Sequence, residues 1–70
     1  MNPGDCFRQR GLILRFCRRL SDGLYLFSVV DINNGSIFGR NLKEESLPYL
    51  RPLNTKVYDR IVKKLQKSQK

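Results

Sequence analysis

The sequence predicts a small, mainly β domain that ends in one α-helix. Three observations carry that prediction. Residues 6–42 contain alternating apolar runs rich in aromatic and β-branched side chains. The joins Asp22-Gly23 and Asn34-Gly35 are dipeptides that accept the positive φ of tight hairpins. Residues 55–67 change from the two-residue period of a strand to helical apolar spacing.

Each element follows in order. Pro3-Gly4-Asp5 reads as an opening turn. Cys6 to Leu20 reads as one strand bent at Gly11, with Leu12, Leu14 and Phe16 on one face. Ile13, Arg15, Cys17 and Arg19 fall on the other. After the Asp22-Gly23 turn, Leu24–Ile32 is apolar on both faces and therefore suits the centre of a sheet. Asn33-Asn34-Gly35 turns the chain again, and Ser36 to Leu42 returns as a third strand with Ile37 facing away from Phe38 and Arg40.

Lys43 to Leu53 contains Pro48 and Pro52, which forbid a long helix. A short helical turn followed by an extended segment over one end of the sheet is expected there. Asn54 or Thr55 caps the final helix, whose apolar stripe is Val57, Tyr58, Ile61, Val62 and Leu65. Asp59 and Lys63 stand four apart, acid first. Lys63, Lys64, Lys67 and Lys70 lie where the helix dipole favours cations. The expected organisation is one small basic domain over residues 1–70: sheet 6–42, Leu/Pro connection 43–53 and helix 55–67. A three-stranded antiparallel meander packed by that helix satisfies all of this.

Charge narrows the function. Fourteen Lys and Arg against six Asp and Glu give +8, with an isoelectric point near 10.1. The positive charge is uneven. Residues 1–20 carry Arg8, Arg10, Arg15, Arg18 and Arg19 against Asp5 alone. Residues 54–70 carry Lys56, Arg60, Lys63, Lys64, Lys67 and Lys70 against Asp59 alone. The middle of the chain is close to neutral. Such a distribution attracts polyanions, of which nucleic acid is the commonest.

Little in the sequence supports catalysis. The chain has no histidine, so the usual acid–base side chain near neutral pH is missing. Two cysteines, Cys6 and Cys17, are too few for a structural zinc site or a disulfide framework. No metal or other cofactor is expected, and the chain is read as a non-enzyme. Residues 1–5 hold no apolar leader segment, and no run approaches the length of a membrane span. An intracellular setting (cytoplasm, nucleoid or nucleus) without membrane contact is the corresponding expectation.

The expected nucleic-acid-binding residues are Arg8, Arg10, Arg15, Arg18 and Arg19 on or beside the first strand, with Arg40 on the third. Arg60, Lys63, Lys64 and Lys67 on the helix complete the set. Arginine suits this work because its planar fork makes paired hydrogen bonds to phosphate or guanine. Phe16, Tyr25, Phe27 and Phe38 are candidates for stacking on bases, against a competing need for them in the core. DNA is favoured over RNA. The alternative is a protein-interaction module, a regulatory subunit or inhibitor that docks on an acidic partner or forms a homodimer, with one apolar face of Leu24–Ile32 needing cover.

The succession Gly4-Asp5, Asp22-Gly23, Asn34-Gly35, a Leu-Pro turn and a final helix resembles SH3-like small barrels. Tudor-like modules and the small basic chromatin proteins of hyperthermophilic archaea share that layout. Residues 31–38 also resemble the hairpin of integrase arm-binding domains. The resemblance implies a small barrel with a terminal helix. A Tudor-like member would need Tyr25, Phe27, Phe38 or Tyr49 exposed together as an aromatic cage.

Overall fold

The computed structural model describes residues 1–68. Its five strands are β1 (Cys6–Gln9), β2 (Leu12–Ser21), β3 (Leu24–Asp31), β4 (Ile37–Lys43) and β5 (Arg51–Leu53). A 3-10 helix over Glu44–Tyr49 separates β4 from β5, and helix α1 (Thr55–Ser68) follows. The strands form one open antiparallel sheet in the order β4-β3-β2-β1-β5.

The sheet thus has five strands rather than three. Residues 6–20 do not form one bent strand. Arg10-Gly11 is a two-residue turn that folds β1 back on β2, with Gln9 opposite Leu12. The extended segment expected after the Leu-Pro turn becomes β5, paired with β1 through Cys6↔Leu53, Phe7↔Pro52 and Arg8↔Arg51. Local sequence signals do not reveal a pairing between residues so far apart in the chain.

The 3-10 helix matches the proline constraint: Pro48 lies inside it and Leu50 N–H donates to the Leu47 carbonyl at 3.0 Å. The Asn54 side chain closes the start of α1, accepting from Lys56 N–H at 2.8 Å. Gln69 and Lys70 lie outside the described residues.

The sheet separates two apolar clusters. On one face Leu14, Phe16, Phe27, Val29 and Leu50 are buried, with Phe7, Leu12, Tyr25, Leu42 and Leu47 packed around them. Phe27 is fully enclosed, its ring 6.0 Å from Phe7 and 5.5 Å from Phe16. On the other face Cys6, Ile13, Val30 and Tyr58 are buried beneath Ile61, Val62 and Leu65 of α1. Most of the expected helical stripe therefore meets the sheet. Val57 does not; it is exposed. Both faces of β3 are used, which explains its two-sided apolar sequence.

A bulge at Cys17 changes which arginines share a face. Phe16 lies opposite Phe27, but Arg18 lies opposite Leu26, so β2 gains one residue against β3. Strict alternation groups Arg15 with Arg19. In the structure Arg15 (opposite Ser28) and Arg18 (opposite Leu26) share the helix face, while Arg19 (opposite Tyr25) turns to the other.

Burial also raises the pKa of two core groups. The Cys6 thiol donates to the Gly4 carbonyl at 3.3 Å. Burial pushes its pKa above the ordinary 9.0; Asp59 and Asp5 add to the rise, and a Thr55 hydrogen bond and Arg15 oppose it. Burial likewise raises the Tyr58 phenol above 10.0; Cys6 and Asp59 add to this, and Arg15 and a hydrogen bond with Ser28 oppose it. Both groups hold their protons longer in the folded chain than in the unfolded one. Their contribution to stability is complete below pH 9.0 and is lost as pH rises through the raised values. Thermal midpoints measured from pH 7 to 11 should stay level to about 9 and then fall. Tyr58→Phe should fall less steeply above pH 10; an unchanged slope would remove Tyr58 from this account.

Candidate nucleic-acid interface

The β1–β2 turn, the end of the 3-10 helix and β5 together build a shallow groove. Arg8, Arg10, Tyr49 and Arg51 line it, with Gln9, Pro52 and Leu53. Arg8 and Arg51 are direct cross-strand neighbours. Like charges in that relation destabilise a sheet, by a few tenths of a kcal/mol up to about 1 kcal/mol. Among the described residues no carboxylate comes within ion-pair distance of Arg8, Arg10 or Arg51. All three are exposed.

A second local cost falls at the same place. Arg10 has φ 54°, the left-handed region that glycine occupies freely and a side chain enters at a cost of about 1 kcal/mol. At the neighbouring Gly11 a Cβ would meet Asn33 Nδ2 at 3.1 Å, so the Asn33 side chain would have to give by a few tenths of an ångström. The turn therefore holds an arginine where a glycine would relieve strain. Tyr49, 75% exposed, lines the same groove and offers a flat ring there. A bound polyanion would convert the Arg8–Arg51 repulsion into two charge-assisted contacts.

The other expected residues are distributed differently. Arg15 places its guanidinium 5.9 Å from the Tyr58 ring centre, a packing contact between β2 and α1. Arg19 binds the Asp22 carboxylate at 3.0 Å across the hairpin, an exposed pair. Arg18 and Arg19 border an apolar recess formed by Met1, Pro3, Phe16, Tyr25 and Leu47. Arg40 is exposed on β4, opposite Phe27. Arg60, Lys63, Lys64 and Lys67 occupy exposed positions of α1, a second basic surface on a separate element.

Of the stacking candidates, Phe16 and Phe27 are core residues and Tyr25 is half-buried. Phe38 alone among them is exposed, at 41%. A cage that includes Phe27 is excluded by its complete burial. Sequence reasoning missed Arg51, which lies in the near-neutral middle of the chain, and it gave Tyr49 no place beside the arginines. Knowledge of the β1–β5 pairing was the signal needed.

Arg10→Gly separates function from folding at this groove. The substitution relieves the positive φ at the cost of unfolded-chain entropy, so stability should be unchanged or raised by up to about 1 kcal/mol. If the groove holds a phosphate backbone, removal of this cation should lower the log–log salt slope of DNA binding by about 0.9. Loss of stability without any change in slope would assign Arg10 to the fold rather than to the groove.

Among the described residues no helix is long and apolar enough to cross a membrane. No protein-family model, curated protein or solved structure matches the chain, so the functional reading rests on the groove and its charge.

Proposed function

We propose that this chain is a non-enzymatic nucleic-acid-binding module that holds a phosphate backbone in the groove of Arg8, Arg10 and Arg51. The carrying observation is the grouping of three exposed arginines, with no ion-pair partner among the described residues, where a like-charge cross-strand pair and a left-handed arginine both destabilise the fold. Net charge of +8 supplies long-range attraction. The Lys-rich face of α1 adds a diffuse second contact.

Double-stranded DNA is the preferred ligand in this reading. Single-strand binders depend on several exposed aromatics in a row, and the core takes most of the rings here. Phosphate contacts position a protein without reading bases, so sequence preference is modest. We read the fold as a variant of the SH3-like small-barrel type whose sheet stays open. Supporting features are the strand order, the long bulged β2 that pairs with both β1 and β3, and the 3-10 helix before β5.

Fluorescence anisotropy with labelled duplex DNA, single-stranded DNA and RNA, each across a salt series, tests the proposal. Micromolar or tighter binding to the duplex with a steep negative salt slope is the expected result. Absence of binding at low salt would contradict it and favour an acidic protein surface as the partner.

A further inference from the structure

The two edges of the sheet are not alike. β5 has three residues, one of them Pro52, which lacks an N–H, and one the charged Arg51. Such an edge resists pairing. β4 has seven residues, Ile37–Lys43, with no proline and no bulge in its pairing with β3. Ile37 and Phe38 on it are 61% and 41% exposed.

The register fixes which backbone groups of β4 are unused. Asp31 N–H donates to the Ser36 carbonyl at one end of the β3–β4 ladder, and Glu44 N–H donates to the Gly23 carbonyl at the other. Hydrogen-bonded pairs alternate with non-bonded ones in an antiparallel ladder. Between those two ends Phe38, Arg40 and Leu42 therefore bond to β3, whereas Ile37, Gly39, Asn41 and Lys43 point their N–H and C=O groups outward.

We propose that this edge pairs with β4 of a second copy of the chain, antiparallel and centred on Gly39 opposite Gly39. In that register Ile37 and Gly39 meet Asn41 and Gly39 of the other copy through outward backbone groups. Arg40 then stands opposite Phe38 of the other copy, on the same face and in the closely spaced non-bonded pair. Two-fold symmetry makes this cation–ring contact twice. A shift by one pair in one direction sets Arg40 against Arg40, a like-charge clash. A shift in the other direction leaves Arg40 opposite Ser36, outside the strand. The charge pattern of β4 thus fits itself in one central register. Pairing at β4 leaves the opposite edge, β5, untouched, and its test needs no nucleic acid.

Sedimentation of the whole chain between micromolar and near-millimolar concentration should show the mass rising from 8.2 kDa toward twice that value. The Arg40→Glu variant should self-associate roughly 5- to 30-fold more weakly, from two lost contacts of ordinary cation–ring strength. Register is read by cross-linking in a Cys17→Ser background, since Cys17 is exposed. Gly39→Cys brings two thiols together across a bonded pair about 5.5 Å apart at Cα, within disulfide reach, and should give a covalent dimer on mild oxidation. Asn41→Cys should not. A Cβ at position 39 meets only Leu26 Cδ1, at an ordinary 3.8 Å, so the variant keeps its fold; circular dichroism checks this. A monomer at every concentration, the result expected if a different strand occupies the edge, overturns the proposal. Cross-linking through position 41 in place of 39 overturns the register.

Discussion

Replacing Arg8, Arg10 and Arg51 together with alanine should weaken binding to duplex DNA by roughly one to two orders of magnitude at moderate salt. The log–log salt slope should become shallower by about 2.7, close to 0.9 for each phosphate contact removed. The reason is geometric. These three side chains line one groove, and no carboxylate competes for them among the described residues. Alanine at Arg15, Arg18 and Arg19 removes the same charge and should change the slope less. Arg15 is committed to the Tyr58 ring and Arg19 to Asp22. Stability should respond in the opposite sense. The groove variant relieves the Arg8–Arg51 repulsion, while the β2 variant loses the contact between sheet and helix. Equal slopes for the two triples would mean that binding follows net charge, with no preference for the groove.

Phe27→Ala should produce the largest loss of stability of any single substitution considered. Phe27 is fully buried and two other phenylalanine rings lie within 6.0 Å of it. Truncating an enclosed phenylalanine costs about 3–5 kcal/mol through lost transfer energy and the cavity left behind. A domain of this length has roughly 4–10 kcal/mol of total stability, at about 0.05–0.15 kcal/mol per residue. The variant should therefore be partly unfolded at room temperature, or melt at least about 12 °C lower at about 4–8 °C per kcal/mol. Urea denaturation followed by circular dichroism gives the number. A loss under about 1 kcal/mol would show that the Phe27 ring does not anchor the cluster it shares with Leu14, Phe16, Val29 and Leu50.

The sequence discloses those parts of this fold that local chemistry decides. Asp22-Gly23 and Asn34-Gly35 mark two hairpins because each must supply a residue with positive φ; Gly23 and Gly35 both stand at 74°. The Tyr58, Ile61, Val62 and Leu65 stripe marks a helix with one buried face. The remaining features depend on partners distant in the chain or on conformations against preference. Arg10 enters the left-handed region as an arginine, so the β1–β2 turn carries no dipeptide signal on its first residue. The bulge at Cys17 shifts the phase of β2 without any glycine or proline to announce it. β5 is only three residues long and has meaning only beside β1.

The same division holds for the candidate site. Charge concentration at the chain's beginning was visible and includes Arg8 and Arg10. The addition of Arg51 and Tyr49 was not, because the fold alone brings residues 49–51 to the β1–β2 turn. Helix residues Arg60, Lys63, Lys64 and Lys67 lie on exposed positions, as amphipathic spacing requires. That placement serves a solvated helix and a phosphate-facing helix equally well.

A two-dimensional amide NMR titration of the full chain with a short DNA duplex would locate the bound nucleic acid on the protein. The largest shift changes should fall on residues 8–12, 49–51 and 53, with smaller ones on the exposed face of α1. Changes confined to β2 and β3, or to α1 alone, would contradict the groove as the place where nucleic acid is held.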